Sequence, residues 1–306
     1  MPNAMPPAEV DVTTALVRRM LAEQHPDLAD LPLEVMANGW DNVMLRLGDD
    51  LIVRVPRREL GIRFLVNEQR WLPEIADRLP LPVPAPVRIG RPSDQYPWPW
   101  SIVPFRPGQP AAVTPPADPA QAAASLGTFL NALHVPGPLR PPAGDGPDNP
   151  VRGLPLDTRA AGFAANMDLL GDGIDRKRVK VIWDAALAVP PWDGPPLWIH
   201  GDLHPANILV HDGRISAVID FGDITTGDPA NDLSVAWMLF DDPGHREVFW
   251  QAYGPAATDH VKQRARGWAM HLSLVMQAHS ADNPMMHTVG TRTYRTVLAD
   301  PRRHPP

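Results

Sequence analysis

Three oxygen-bearing side chains about two thirds of the way along the chain, Asp202, Asn207 and Asp220, are spaced so that folding must bring them together. Residues 208–210 and 215–219 are apolar runs rich in β-branched side chains, which favour strands. Between them lies His211-Asp212-Gly213-Arg214, and Asp-Gly is a strong hairpin signal. A hairpin returns its two ends to one edge, so Asn207 and Asp220 become neighbours. Asp202 joins them through a short loop closed by Pro205. Amide and carboxylate oxygens suit Mg²⁺, which binds through one or two carboxylates plus substrate phosphates. A carboxylate beside such a metal can take the proton of an attacking hydroxyl. That combination serves phosphoryl transfer.

Nearby polar residues have plainer readings. Asp212-Gly213 is a turn, Asp228 a helix cap, and His204 a surface residue. A second chemistry is written in the alternation of His200, Asp202 and His204, which with Asp220 offers ligands for zinc or manganese in a metal-dependent hydrolase. It leaves Asn207 and Asp220-Phe221-Gly222 without a role. A third reading is a nucleotide-binding module without catalysis, disfavoured because all three key polar residues are present.

His200-Gly201-Asp202-Leu203-His204-Pro205-Ala206-Asn207 and Ile219-Asp220-Phe221-Gly222 resemble the aminoglycoside phosphotransferase family, a branch of the protein-kinase-like fold. The resemblance implies that Asp202 is the catalytic base and that Asn207 and Asp220 hold Mg²⁺. It also implies that His200 supports the catalytic loop, and that Asp232 braces it from below. ATP or GTP would be the phosphoryl donor and a small hydroxylated molecule the acceptor, an aminoglycoside or macrolide among the possibilities. Protein kinases usually carry Arg where Gly201 stands, and the segment from Gly222 to Pro229 is short, which disfavours a protein acceptor.

These residues need elements to position them. Residues 11–24 have helical spacing with Asp11 placed to cap. Residues 43–47 and 51–55 read as strands across Gly48-Asp49-Asp50. A helix is expected over residues 59–71, with Pro73 breaking or restarting it. Residues 83–89 and 100–105 read as further strands. Arg54 lies on the second strand where the kinase pattern usually has Lys, an exchange that related macrolide phosphotransferase-like members also make. Glu68 is its expected partner, with Glu59 and Glu74 as alternatives. Residues 37–43, around Gly39 and Asn42, would form a phosphate-facing loop. Residues 101–106 would form the hinge, with the purine contact at Phe105. The fold expected is α+β and two-lobed: a small strand-rich lobe over residues 1–105 and a larger, mainly helical lobe over 106–306.

The larger lobe opens with a helix over residues 121–134 and a Pro- and Gly-rich loop over 136–155. Helix over 159–187 and a buried strand at 197–200 follow. The last third has helical periodicity around Trp237, Phe240, Phe249, Trp250 and Trp268, and residues 301–306 would fray. The 306 residues include no cysteine, which excludes disulfides and thiol chemistry. A net charge of −7 disfavours nucleic acid as a partner. No signal-peptide pattern or membrane-length apolar run is visible, so a cytoplasmic location is expected. The acceptor is the least defined part. Asp223, Asp241 and Asp242 would favour a polyamine, whereas Trp237, Trp250 and Trp268 would line an apolar pocket.

Overall fold

A computed structural model describes residues 7–39, 41–140, 146–147 and 149–300. The expected fraying of residues 301–306 lies outside them, as does Trp40 in the 37–43 loop. Helix α1 (Thr14–Gln24) is capped by Thr13, whose Oγ1 accepts from the Leu16 N–H at 3.2 Å. Asp11 lies two residues too early for that task. Strands β1 (Leu33–Asn38), β2 (Asn42–Leu47) and β3 (Leu51–Pro56) follow. Val43, Leu45 and Leu47 alternate inward on β2, as period two requires, and pack with Val53, Val55, Trp100 and the buried face of α1.

Helix α2 (Ile62–Ala76), preceded by a 3-10 turn at Glu59–Gly61, runs through Pro73. Leu65, Leu72 and Ile75 are buried on both sides of that proline, and this packing outweighs one missing backbone hydrogen bond. The strand expected over 83–89 shrinks to β4 (Arg88–Gly90). Pro82, Pro84 and Pro86 remove the N–H groups a longer ladder would need. With β5 (Trp100–Pro104) the antiparallel sheet has the order β1-β2-β3-β5-β4.

The remainder is mainly helical. The ribbon β6 (Gln109–Pro110) leads into α3 (Pro119–Leu133), and α4 (Ala160–Leu170) and α5 (Arg176–Ala188) divide the long helical stretch in two. Strands β7 (Leu197–Ile199), β8 (Ile208–His211), β9 (Arg214–Val218) and β10 (Thr225–Gly227) carry the polar constellation. They form two small antiparallel sheets, β10-β7 and β6-β8-β9. Helices α6 (Ala230–Leu233), α7 (Val235–Leu239), α8 (Pro243–Tyr253), α9 (Asp259–His279) and α10 (Pro284–Ala299) complete the lobe. Trp237, Trp250 and Trp268 are all buried in the main core rather than lining an open pocket. Among the described residues no helix is long and apolar enough to cross a membrane.

Candidate active site

The β8–β9 hairpin closes as its Asp-Gly turn predicts. Asp212 and Gly213 both take positive φ, and the Ile219 N–H donates to the Asn207 carbonyl at 2.9 Å. Asn207 therefore sits one residue from Asp220 across the hairpin base. The Asn207 side-chain nitrogen donates to the Asp202 carbonyl at 3.0 Å, which ties the third residue in. With Nδ2 spent there, Oδ1 is the end of Asn207 left for a cation. Asp220 adopts φ 65°, a left-handed conformation uncommon outside glycine, and its side chain is 60% exposed. One amide oxygen and one exposed carboxylate form a hard donor set that fits Mg²⁺.

Asp232 holds the His200–Asp202 segment from beneath. Its Oδ2 accepts from the His200 N–H at 2.6 Å and its Oδ1 from the Gly201 N–H at 3.0 Å, while Asn231 Nδ2 donates to the Gly201 carbonyl at 2.9 Å. His134 Nε2 lies 3.3 Å from the same Oδ2, and His134 Nδ1 lies 3.0 Å from the Tyr253 hydroxyl. Burial pushes the Asp232 carboxyl upward, but His134 and His200 outweigh it and hold it below the ordinary range. Gly201 has φ 87°, and a Cβ there would meet the Asp223 carbonyl oxygen at 2.4 Å. Only glycine fits.

His200 is fully buried and committed at both nitrogens. Nδ1 accepts from the Asp202 N–H at 3.3 Å, so Nε2 carries the hydrogen and donates to the Ile219 carbonyl at 2.9 Å. Its ring lies 4.5 Å from that of Phe221. No ring nitrogen remains for a metal. Among the described residues no group of three or more His, Asp and Glu side chains is placed to hold one. The hydrolase reading thereby loses His200 as a ligand and is not favoured.

The sheet and α2 supply the other wall. Arg54 Nη1 lies 2.6 Å from both Glu68 oxygens, and both side chains are buried. Arg54 Nη2 is 4.0 Å from Asp220. Burial pushes the Glu68 carboxyl up against the opposing pull of Arg54, while the guanidinium keeps its proton. Glu59 lies in the 3-10 turn, and Glu74 pairs with Arg70 at 2.9 Å, so neither competes for Arg54. The adjacent Asn67, which no pattern in the sequence marks, donates to the Gly222 and Ile224 carbonyls at 3.0 and 2.7 Å. It docks α2 directly on the segment that carries Asp220. Phe105 follows β5, but its N–H donates to the Asp50 carbonyl at 2.7 Å.

The residue that sequence reasoning misses is Arg152. It lies in the Pro- and Gly-rich stretch, where no periodicity draws the eye. Its Nη2 donates to Asp202 Oδ1 at 2.6 Å, and its Nε lies 3.7 Å from Asp223 Oδ2. Asn149 prepares this approach by donating to Asp223 Oδ1 at 2.8 Å. Burial would raise the Asp202 carboxyl, but Arg152, His204 and His200 hold it well below the carboxylate range. The acidic residues weighed for a polyamine are engaged. Asp223 faces Arg152 and Asn149, Asp241 pairs with Arg292 at 2.8 Å, and Asp242 caps α8.

Comparison with known proteins bears on this arrangement. The model of a family described as "Phosphotransferase enzyme family" matches residues 32–268. An aminoglycoside 3'-phosphotransferase from Escherichia coli is 29% identical over 97 residues, which span 30% of this chain and 36% of that protein. The uncharacterized protein YcbJ of Bacillus subtilis (strain 168) is 36% identical over 52 residues, 17% of each chain. The matched stretches thus span about a third or less of these curated relatives. Among solved structures, the GDP complex of aminoglycoside 2'-phosphotransferase-IIIa superposes with a TM-score of 0.65 at 19% identity, covering 94% of this chain and 99% of that one. The apoenzyme of macrolide 2'-phosphotransferase MphH from Brachybacterium faecium gives 0.59 at 22% identity, covering 94% and 98%. At these identities the likeness is one of fold: an antiparallel sheet lobe followed by a helical lobe.

Proposed function

The chain belongs to the phosphotransferase enzyme family, and from that premise we propose that it transfers the γ-phosphoryl group of ATP or GTP to a hydroxyl of a small molecule. The observation that carries this reading is the meeting of two independent groups. Asp202, Asn207 and Asp220 come from one hairpin edge, and the buried Arg54–Glu68 pair arrives from the other lobe with Arg54 Nη2 4.0 Å from Asp220. Residues 1–105 form the nucleotide-binding lobe and 106–306 the catalytic and acceptor-binding lobe, with the purine against the Phe105 carbonyl and its neighbours.

In this reading Asn207 and Asp220 hold Mg²⁺, which neutralises phosphate charge when bound. Arg54 contacts the nucleotide phosphates, and Glu68 keeps its guanidinium extended. Asp202 orients the acceptor hydroxyl and takes its proton as the oxygen attacks. Catalysis then rests on positioning and on charge already in place. An aminoglycoside or a macrolide would present a suitable hydroxyl. A groove of about 270 Å³ lined by Gly153, Leu156, Leu187, Val189 and Trp192 suits the apolar body of an acceptor.

A thermal-shift titration with ATP and GTP, each with and without Mg²⁺, tests the reading on wild type and Asp220→Asn. A ligand that binds only the folded state adds about 2.7 kcal/mol at a hundredfold excess over its dissociation constant. The expected result is a Mg²⁺-dependent rise that the substitution removes. Absence of any rise with either nucleotide overturns the proposal.

A further inference from the structure

Phosphoryl transfer to an alcohol does not require an arginine on the base, yet Arg152 occupies it. Arg152 Nη2 holds Asp202 Oδ1 at 2.6 Å, and His204 Nε2 faces the other oxygen at 3.6 Å. The contact is built. Asn149 Oδ1 accepts from the Val151 and Arg152 N–H groups at 3.0 and 2.8 Å, and its Nδ2 reaches the Asp223 side chain and carbonyl at 2.8 and 3.3 Å. The turn presenting Arg152 is therefore fastened to the residue next to Gly222. The pair is part-buried, its side chains 24% and 33% exposed.

A second carboxylate stands ready. Asp223 Oδ2 lies 3.7 Å from Arg152 Nε, so the guanidinium can release Asp202 and keep a counter-charge without leaving the site. We propose that Arg152 is a positioning residue that withholds Asp202 from water until an acceptor hydroxyl takes its place, so that nucleotide is consumed only when an acceptor is bound. The inference rests on Asp202 being the base of the proposed kinase. The reaction suppressed is hydrolysis. Water oxygen would bond to the γ-phosphorus, and the bond from that phosphorus to the β,γ-bridging oxygen would break. The nucleoside diphosphate would leave with that electron pair, and the water proton would pass through Asp202 to solvent. With Arg152 in place, Asp202 Oδ1 already accepts a charge-assisted hydrogen bond and His204 Nε2 faces Oδ2 at 3.6 Å, so the carboxylate is a poorer acceptor for that proton.

The test is phosphate release from MgATP and MgGTP without acceptor, for wild type, Arg152→Gln, Arg152→Lys and the double variant Arg152→Gln/Asp202→Asn. Thermal shift with each nucleotide is measured in parallel. Removing one charge-assisted hydrogen bond from a part-exposed carboxylate should raise hydrolysis roughly tenfold in Arg152→Gln. Arg152→Lys, which keeps the charge, should rise less and shows whether the loop tolerates change. The double variant should lose the rise. Structural damage alone would lower hydrolysis, so a rise is not its signature. An unchanged or lower rate in both single variants, with nucleotide binding intact, overturns the clamp and leaves the kinase reading standing. A rise that survives in the double variant also overturns it. Loss of nucleotide binding by wild type itself overturns both.

Discussion

Asp232 offers the sharpest test of how the segment carrying Asp202 is held. It is fully buried and accepts from two backbone N–H groups, His200 at 2.6 Å and Gly201 at 3.0 Å, with His134 Nε2 and Asn231 Nδ2 each at 3.3 Å. Asp232→Ala strands both backbone donors where water does not reach. Each stranded donor costs about 1–3 kcal/mol, so with two of them about 4 kcal/mol is expected. Asp232→Asn is gentler. Its NH₂ can replace Oδ2, where His134 can change tautomer and accept from it through Nε2. Only the His200 N–H then loses its acceptor, for about 1–3 kcal/mol. Urea unfolding at pH 7, followed by tryptophan fluorescence, gives both values from the midpoint shifts. A loss below about 1 kcal/mol for Asp232→Ala, or equal losses for the two variants, would refute the bracing argument.

His271 should make the fold acid-sensitive. Burial first, then Arg159 and Arg152, lowers it to about 4, and among the described residues its Nδ1 has no hydrogen-bond partner. A lowered folded value means the unfolded chain binds the proton more readily, so the stability from neutral His271 is complete above about pH 6.5 and is lost as pH falls toward 4. The loss by pH 4.5 is about 2.5 kcal/mol. Urea midpoints at pH 7.5 and 4.5 should differ less in His271→Phe than in wild type, and an identical difference counts against this account. At Arg54, alanine leaves Glu68 buried and unpaired and should cost about 3–5 kcal/mol, whereas lysine keeps a cation there and should cost about 1 kcal/mol. Thermal denaturation that ranks the two variants equally would reject the pairing as a buried ionic contact.

What the sequence made legible followed from short-range rules. The Asp212-Gly213 turn and two apolar runs were enough to bring Asn207 beside Asp220, because a hairpin leaves its ends no other place. Arg54 and Glu68 were readable as a strand residue and a helix residue. Which glutamate pairs was decided by three-dimensional facts: Glu59 falls in the 3-10 turn and Glu74 turns to Arg70. Pro73 and the 83–89 strand went the other way, each through proline. In α2 the packing on both flanks overrides the missing donor, whereas in the strand three alternating prolines cannot be overridden. Asn67 and Arg152 were invisible because each acts across a large sequence separation, 155 residues for Asn67 to Gly222 and 50 for Arg152 to Asp202. The tryptophans of the last third were ambiguous for another reason. Helical spacing is the same for a core face and for a pocket wall, and only packing separates them.

Gly201 and Arg152 are one feature seen from two directions. A side chain at position 201 would strike the Asp223 carbonyl at 2.4 Å and lies 3.3 Å from the Arg152 Cβ, so the space beside the catalytic segment is already taken by the loop that carries Arg152. The protein-kinase pattern spends its arginine at this position, reaching outward from the catalytic segment itself. Here the charge comes from a distant loop and points inward, onto Asp202 and Asp223. In the proposed kinase, an arginine at 152 would therefore be tuned by whatever meets those two carboxylates, whereas one at 201 would be tuned by what it meets elsewhere in the chain.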